Sequence, residues 1–143
     1  MSVEDNKRTV RRLFDEVWNE RRLEPIEELY ARTVVIDYRP YSPLQEGHDA
    51  VRGMVERSWA SFPDYHEELL GLVAEDNRVA VHLLITGTQH GAWGPVPPTG
   101  RHLEFEEMLF LTFDADARVV HQRGIADNIL GLRQAGVIPT PEP

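Results

Sequence analysis

Apolar residues near the start of the chain recur as Val10, Leu13, Phe14, Val17 and Trp18, the i, i+3, i+4, i+7, i+8 spacing that lines one face of an α-helix. Ser2, with Asp5 three residues on, resembles a capping box and marks where that helix starts. Pro25 suits the first position of a short second helix over residues 25 to about 32, with Ile26, Leu29 and Tyr30 on its inner side. The β-branched run Thr33, Val34, Val35, Ile36 predicts a strand ending near Tyr38, ahead of an irregular stretch over 39–43. Val51, Met54, Val55, Trp59 and Phe62 define a third helix, and Pro63 favours its stop.

From Tyr65 onward the period changes from helical to extended. Residues 65–75 read as a strand and 75–78 as a turn, and Val79, Val81, Leu83 and Ile85 alternate along the next strand. The stretch 87–100 is too rich in Gly and Pro to be regular and reads as the loop of a wide hairpin. Residues 101–113 form a further strand, 114–117 a turn, and 118 to about 127 the last strand. A helix follows over 128–135, closed by Gly136, and then a Pro-rich tail over about 137–143 that need not be ordered. Helices followed by an antiparallel meander give an α+β fold, a single domain over 1–143 with helices on one face of the sheet. Leu109, Leu111 and Phe113 alternate with Met108 and Phe110, so both faces of the later strands are apolar. Three helices cover one face, and the other is expected to meet a second copy, giving a homodimer through the outer sheet face.

A composition of 41% hydrophobic and 27% charged residues is that of an ordinary folded protein. The net charge of -9 argues against a nucleic-acid partner and against an anionic membrane surface. No run approaches the roughly 18 apolar residues of a membrane span. The first residues lack the apolar core of a signal peptide, so a cytoplasmic location is expected. With no cysteine, histidines and carboxylates remain as the reactive candidates.

The reactive candidates begin with Asp127, which interrupts an apolar run of Ile125, Ala126, Ile129 and Leu130. It reads either as an exposed N-cap of the last helix or as a desolvated cavity carboxylate usable as a general acid or base, and the two roles can coexist. Alternation places Glu107 among the inward residues Leu103, Phe105, Leu109, Leu111 and Phe113. The same alternation along the last strand groups Val119, His121, Arg123, Ile125 and Asp127, so Asp127, Glu107 and Arg123 are expected to share one cavity. A single β-bulge reverses such an assignment and would exchange Glu107 for Glu106. The 6 histidines form no local metal-ligand set, and no metal is expected. His90, in the Gly/Pro loop, is the most plausible functional histidine, against the reading of an ordinary exposed loop residue. Tyr38, Tyr41, Trp59 and Trp93 suit a flat, partly polar ligand if they are not simply core, and Trp93, in a loop without an obvious core, reads as a lid.

The segments 75–81 leading to Gly87-Thr-Gln-His-Gly91, then Pro97-Pro-Thr-Gly100, and finally Ile125-Ala-Asp-Asn-Ile-Leu-Gly-Leu-Arg-Gln-Ala-Gly136 resemble the SnoaL-like polyketide cyclases. That family lies within the nuclear transport factor 2-like superfamily, which also holds ketosteroid isomerase. The resemblance implies a cone-shaped barrel of a curved, mainly antiparallel sheet with N-terminal helices on one face, commonly dimeric. It also implies a cofactor-independent cyclase or isomerase closing a ring by intramolecular aldol chemistry on a carbonyl-rich, polyketide-like small molecule, with the aspartate matching Asp127 as general acid/base. Epoxide opening or hydrolysis on the same scaffold, or small-molecule binding without catalysis, are the alternatives. The chain departs from the family pattern at Arg123, where a Trp is common, at Tyr38, where a His follows the aspartate, and at Leu109, where an acid or His is found.

Overall fold

The computed structural model describes residues 2–141. Ser2 caps α1 (Val3–Arg12) through the reciprocal Ser2 and Asp5 bonds that the sequence signals. The helix then widens into a π-helical stretch, Leu13–Asn19, whose Leu13, Phe14, Val17 and Trp18 are all buried. The second helix is shorter than the spacing predicts: α2 covers Ile26–Leu29, and Tyr30 already begins β1 (Tyr30–Asp37). Here sheet pairing overrides helix periodicity, since Tyr30 sits opposite Val119 in a parallel ladder. A two-residue strand, β2 (Gln45–Glu46), was not foreseen, and α3 follows over His48–Ser61.

The meander is β3 (His66–Glu75), β4 (Arg78–Thr88), β5 (His102–Phe113) and β6 (Val119–Ala126), followed by α4 (Asn128–Gln134). The sheet order is β2-β1-β6-β5-β4-β3, antiparallel throughout except for the β1–β6 pair. It is a curved sheet that does not close, so the barrel implied by the resemblance is an open cone with helices across its concave face. Inward residues of β4 and β5, from Val79 to Ile85 and from Leu103 to Phe113, make the core with Val10, Val17, Val51 and Val55. On the opposite face Met108 and Phe110 are exposed, as the alternation predicts, and so is Ile125, which the alternation had grouped with the cavity residues. The beginning of the C-terminal tail folds back on α4, where Val137 donates to the Leu132 carbonyl and Arg133 to that of Pro139; residues 142–143 lie outside the described residues. Among the described residues no helix is long and apolar enough to cross a membrane.

Two β-bulges set which side chains face inward. Between β3 and β4 the register shifts from Leu69 opposite Leu83 to Gly71 opposite His82, leaving Leu70 as the extra residue. Between β5 and β6 it shifts from Phe113 opposite Val119 to Thr112 opposite His121, leaving Val120 unpaired. That second shift turns Gln122, Gly124 and Ala126 toward the helices and carries Asp127 to the outer parity, where its amide donates to the Glu106 carbonyl.

β3 is an edge strand, and the π-helical stretch secures it. Asn19 donates from Nδ2 to the Glu67 carbonyl at 2.8 Å and accepts the Glu67 amide on Oδ1 at 2.9 Å, acting as a one-residue strand partner. Replacing Asn19 with alanine leaves both backbone groups unpaired in a half-buried setting. The expected loss is about 1–3 kcal/mol, read as a lower midpoint in denaturant unfolding with an unchanged m-value.

Candidate active site

A cavity of about 560 Å³ opens between α3, the stretch after β1 and the inner face of β5 and β6. Its aromatic wall is built by packing from three elements. Trp93 stacks on Phe105 with ring centroids 5.8 Å apart and meets Phe62 edge-on at 5.7 Å. Gly131 of α4 makes room for it, because a Cβ there would lie 2.8 Å from Trp93 Cη2. The sequence reading of Trp93 as a lid is therefore corrected: the side chain is part of the wall, held by three neighbours.

The polar side of the cavity is organised by tyrosines around two carboxyls. Glu107 faces inward on β5 at 9% exposure, and Glu67 faces inward on β3 at 4%. The Tyr65 hydroxyl donates to Glu67 Oε1 at 2.5 Å, while Glu67 Oε2 is buried without a hydrogen-bond partner. Across the cavity the Tyr30 hydroxyl donates to Gln122 Oε1 at 2.9 Å, and Gln122 Nε2 donates to the Tyr38 hydroxyl oxygen at 2.7 Å. With its oxygen already accepting, the Tyr38 hydroxyl keeps a proton to donate, and it counters the rise of the Glu107 carboxyl. Gly124 is the residue that lets the Tyr38 ring lie against β6, since a Cβ there would come within 2.2 Å of the ring.

Desolvation governs the charge states. Burial pushes Glu107 up from the ordinary 4.5 to about 7, opposed by the hydrogen bond from Tyr38. Burial, and then the charge of Glu107, raise Glu67 well above the usual carboxylate range. A charged Glu67 would leave its buried Oε2 as an uncompensated anionic oxygen. Tyr38 and Tyr65 are likewise held protonated, first by burial. The site contains two buried carboxyls pushed toward the neutral form and hydroxyls that donate.

Of the residues singled out in the sequence, Glu107, Tyr38, Tyr41, Trp93 and Arg123 come together on the cavity wall. Tyr41 stands at the mouth at 60% exposure, and Arg123 donates from Nη1 to the carbonyls of Asp37 and Gly124. The remaining three do not reach it. Asp127 is exposed and caps α4, its Oδ1 accepting from the Leu130 amide at 3.1 Å, because the Val120 bulge reverses the parity expected for it. His90 is exposed on the loop after β4, and Trp59 packs away from the cavity with the Arg21 guanidinium 5.3 Å from its ring centroid. Sequence reasoning passed over Glu67, Tyr65 and Gln122. The alternation of Tyr65, Glu67 and Leu69 carries the same signal that identified Glu107, an acid among inward apolar positions.

The fold is an open-sheet α+β cone enclosing a carboxyl-lined, aromatic-walled cavity. The model of the SnoaL-like polyketide cyclases matches residues 8–135. The chain belongs to that family. Among solved structures it is similar to IdmH, a candidate polyketide cyclase from Streptomyces antibioticus, with 28% identity over 92% of this chain and 99% of that one at a TM-score of 0.79. A candidate SnoaL-like polyketide cyclase from Jannaschia sp. CCS1 has 23% identity, covers 95% of this chain and 94% of its own, and superimposes at 0.85. AclR from Streptomyces galilaeus, a candidate hydroxylase, has 23% identity over 99% and 87% at 0.84. No protein of curated function matches the sequence.

The raised value of Glu107 has a stability signature. A carboxyl whose folded value lies above its unfolded one contributes stability that is fully present below about 4.5 and is lost as pH climbs through about 7. The wild-type protein is therefore expected to lose stability between those limits. In Glu107→Gln that share of the slope disappears, a relative gain of about 3 kcal/mol for the variant at pH 8. Denaturant unfolding of both proteins across the window measures it, and parallel pH profiles would rule out the shift.

Proposed function

We propose that this protein is a cofactor-independent cyclase or isomerase that acts by general acid/base catalysis on a carbonyl-rich, polyketide-like intermediate, with Glu107 as the base. The observation that carries the reading is the buried Glu107 carboxyl, raised to about 7 in a 560 Å³ cavity beside a second buried carboxyl, Glu67. A base with that value is available at neutral pH without being too weak to take a proton from carbon between two carbonyls.

The steps balance within the site. Ionised Glu107 takes the α-proton; the C–H electron pair forms the enolate and moves charge onto the carbonyl oxygen. As Glu107 becomes neutral it ceases to attract the Tyr38 hydroxyl, which is then free to donate to the new oxyanion. The enolate carbon attacks a second carbonyl of the same chain, a C–C bond forms, and the resulting alkoxide takes the proton back from Glu107. The product is a cyclic β-hydroxy ketone and the carboxylate is regenerated. The aromatic wall of Phe62, Trp93 and Phe105 holds the substrate folded for that closure.

Proton abstraction can be read without the natural substrate. The test is enzyme-catalysed deuterium uptake at C1 of 2-tetralone in D2O, followed by NMR. Glu107→Gln is expected to lower the rate by about 10²–10⁴, and in the wild type the rate is expected to rise with pH through about 7 as Glu107 loses its proton. Asp127→Asn is expected to retain the rate, because Asp127 caps α4 outside the cavity wall. Full exchange in Glu107→Gln together with its loss in Asp127→Asn would transfer the role to the aspartate.

A further inference from the structure

The carboxyl of Glu67 is not needed to hold the fold at its position. β3 is secured there by its backbone, since Asn19 takes both the amide and the carbonyl of Glu67 whatever side chain the residue carries. Tyr65, which donates to Glu67 Oε1, is fixed by packing as well, with the rings of Trp18 and Phe62 centred 5.2 and 6.3 Å from its own. Leu69 follows Glu67 on the same face and Ile85 stands opposite it, so an apolar residue at 67 would continue an apolar surface. A carboxyl buried there with no cation against it costs desolvation energy instead. Among the described residues three buried side-chain atoms lack a hydrogen-bond partner: Asn6 Oδ1, Trp59 Nε1 and Glu67 Oε2. Of these only Glu67, at 4% exposure, belongs to the cavity wall. A costly polar group left incomplete on a ligand-sized cavity is a group that a ligand completes.

The register places this group relative to the base. β4 lies between the two acids, with Glu67 opposite Ile85 and Glu107 opposite Leu83. Their strands are two ladder spacings apart, about 10 Å, and both side chains line the same cavity. Phe105, also opposite Ile85, carries the stack with Trp93. A flat ligand on that stack with its reacting carbon at Glu107 meets Glu67 as the acid on the β3 side. Resting on the cyclase reading above, we infer that Glu67 is a specificity-determining residue, which hydrogen-bonds a hydroxyl or enol group of the substrate remote from the carbon that Glu107 deprotonates. The terminal torsion of a glutamate is soft, so the carboxyl turns to present Oε2 to that group. A hydroxyl both donates and accepts, and it satisfies the carboxyl in either protonation state. An apolar substituent at the same place leaves Oε2 unpaired.

Matched probes test it without the natural substrate: 6-hydroxy-2-tetralone and the similarly sized 6-methyl-2-tetralone, titrated calorimetrically so that binding is read apart from turnover. The hydroxyl compound is expected to bind about tenfold more tightly to the wild type, the scale of one hydrogen bond to a buried group. In Glu67→Leu the preference is expected to vanish or reverse, because the methyl compound then meets an apolar side chain. Glu67→Gln, whose amide also bonds a hydroxyl, is expected to keep a preference, and so is Tyr65→Phe, because the contact belongs to the carboxyl. Denaturant unfolding of each variant ensures that folded proteins are compared. Equal affinities in the wild type, or a preference that survives in Glu67→Leu, overturns the inference. So does a preference lost alike in Glu67→Leu and Glu67→Gln, which marks a packing effect. Glu107→Gln separates this from the catalytic reading: a hydroxyl preference retained in a variant without tetralone exchange supports both. Undiminished exchange in that variant with the preference intact removes Glu107 as base and keeps Glu67 as the specificity residue. A preference lost in Glu107→Gln places the hydroxyl at Glu107 and overturns the inference.

Discussion

The extra residue in β6, Val120, determines more of this structure than any single contact. Had β6 paired with β5 without it, the inward set would be the one that simple alternation gives, with Arg123 and Asp127 facing the helices. With it, Gln122 points inward and can join Tyr30 to Tyr38. Gly124 comes under the Tyr38 ring, the place where a Cβ has no room, and Ala126 stands opposite Glu107. Asp127 then falls at the outward end of the strand, where its carboxylate serves the first turn of α4. The placement of Tyr38, the neighbours of Glu107 and the start of α4 all follow from one unpaired residue in one ladder.

Around that register the electrostatics are set chiefly by exclusion of water. Neither Glu107 nor Glu67 has a cation against it, so burial dominates and both are pushed toward the neutral form. Their surroundings differ: Tyr65 donates to Glu67 Oε1 while Glu67 Oε2 has no partner, and on the other side the Tyr38 hydroxyl, its oxygen accepting from Gln122, opposes the rise of Glu107. Arg39 is engaged with Asp37, whose carboxyl it holds well below the usual range, rather than with the buried pair.

Much of the fold was legible because it rests on periodicity. The helical stripe from Val10 to Trp18, the alternation in β4 and β5, and the Gly/Pro loop between them correspond to observed elements within a residue or two. The parallel β1–β6 pair and the two-residue β2 were not legible, since both depend on contacts between distant segments rather than on local pattern. In the candidate site, Glu107 was found by parity because β5 is regular from His102 through Thr112 against its neighbours. Asp127 was placed by the same rule on a strand that carries a bulge, and the rule failed there for that reason. Glu67 was overlooked although Tyr65, Glu67 and Leu69 obey it, because a glutamate pair at 67–68 in a polar-looking strand reads as solvated surface. Nothing in the local sequence marks that Asn19, from the π-helical stretch, takes up the strand's free backbone groups.

The open sheet has a consequence for how the protein behaves at high concentration. An unclosed sheet presents two free edges, and β3, with Leu70 and Val73 exposed, is a hydrophobic one. The bulge at Leu70 breaks the regular spacing of its outward amides and carbonyls, and Asn19 occupies those of Glu67. The opposite edge is only the short Gln45–Glu46 strand. Both edges are therefore poor templates for a strand from another molecule.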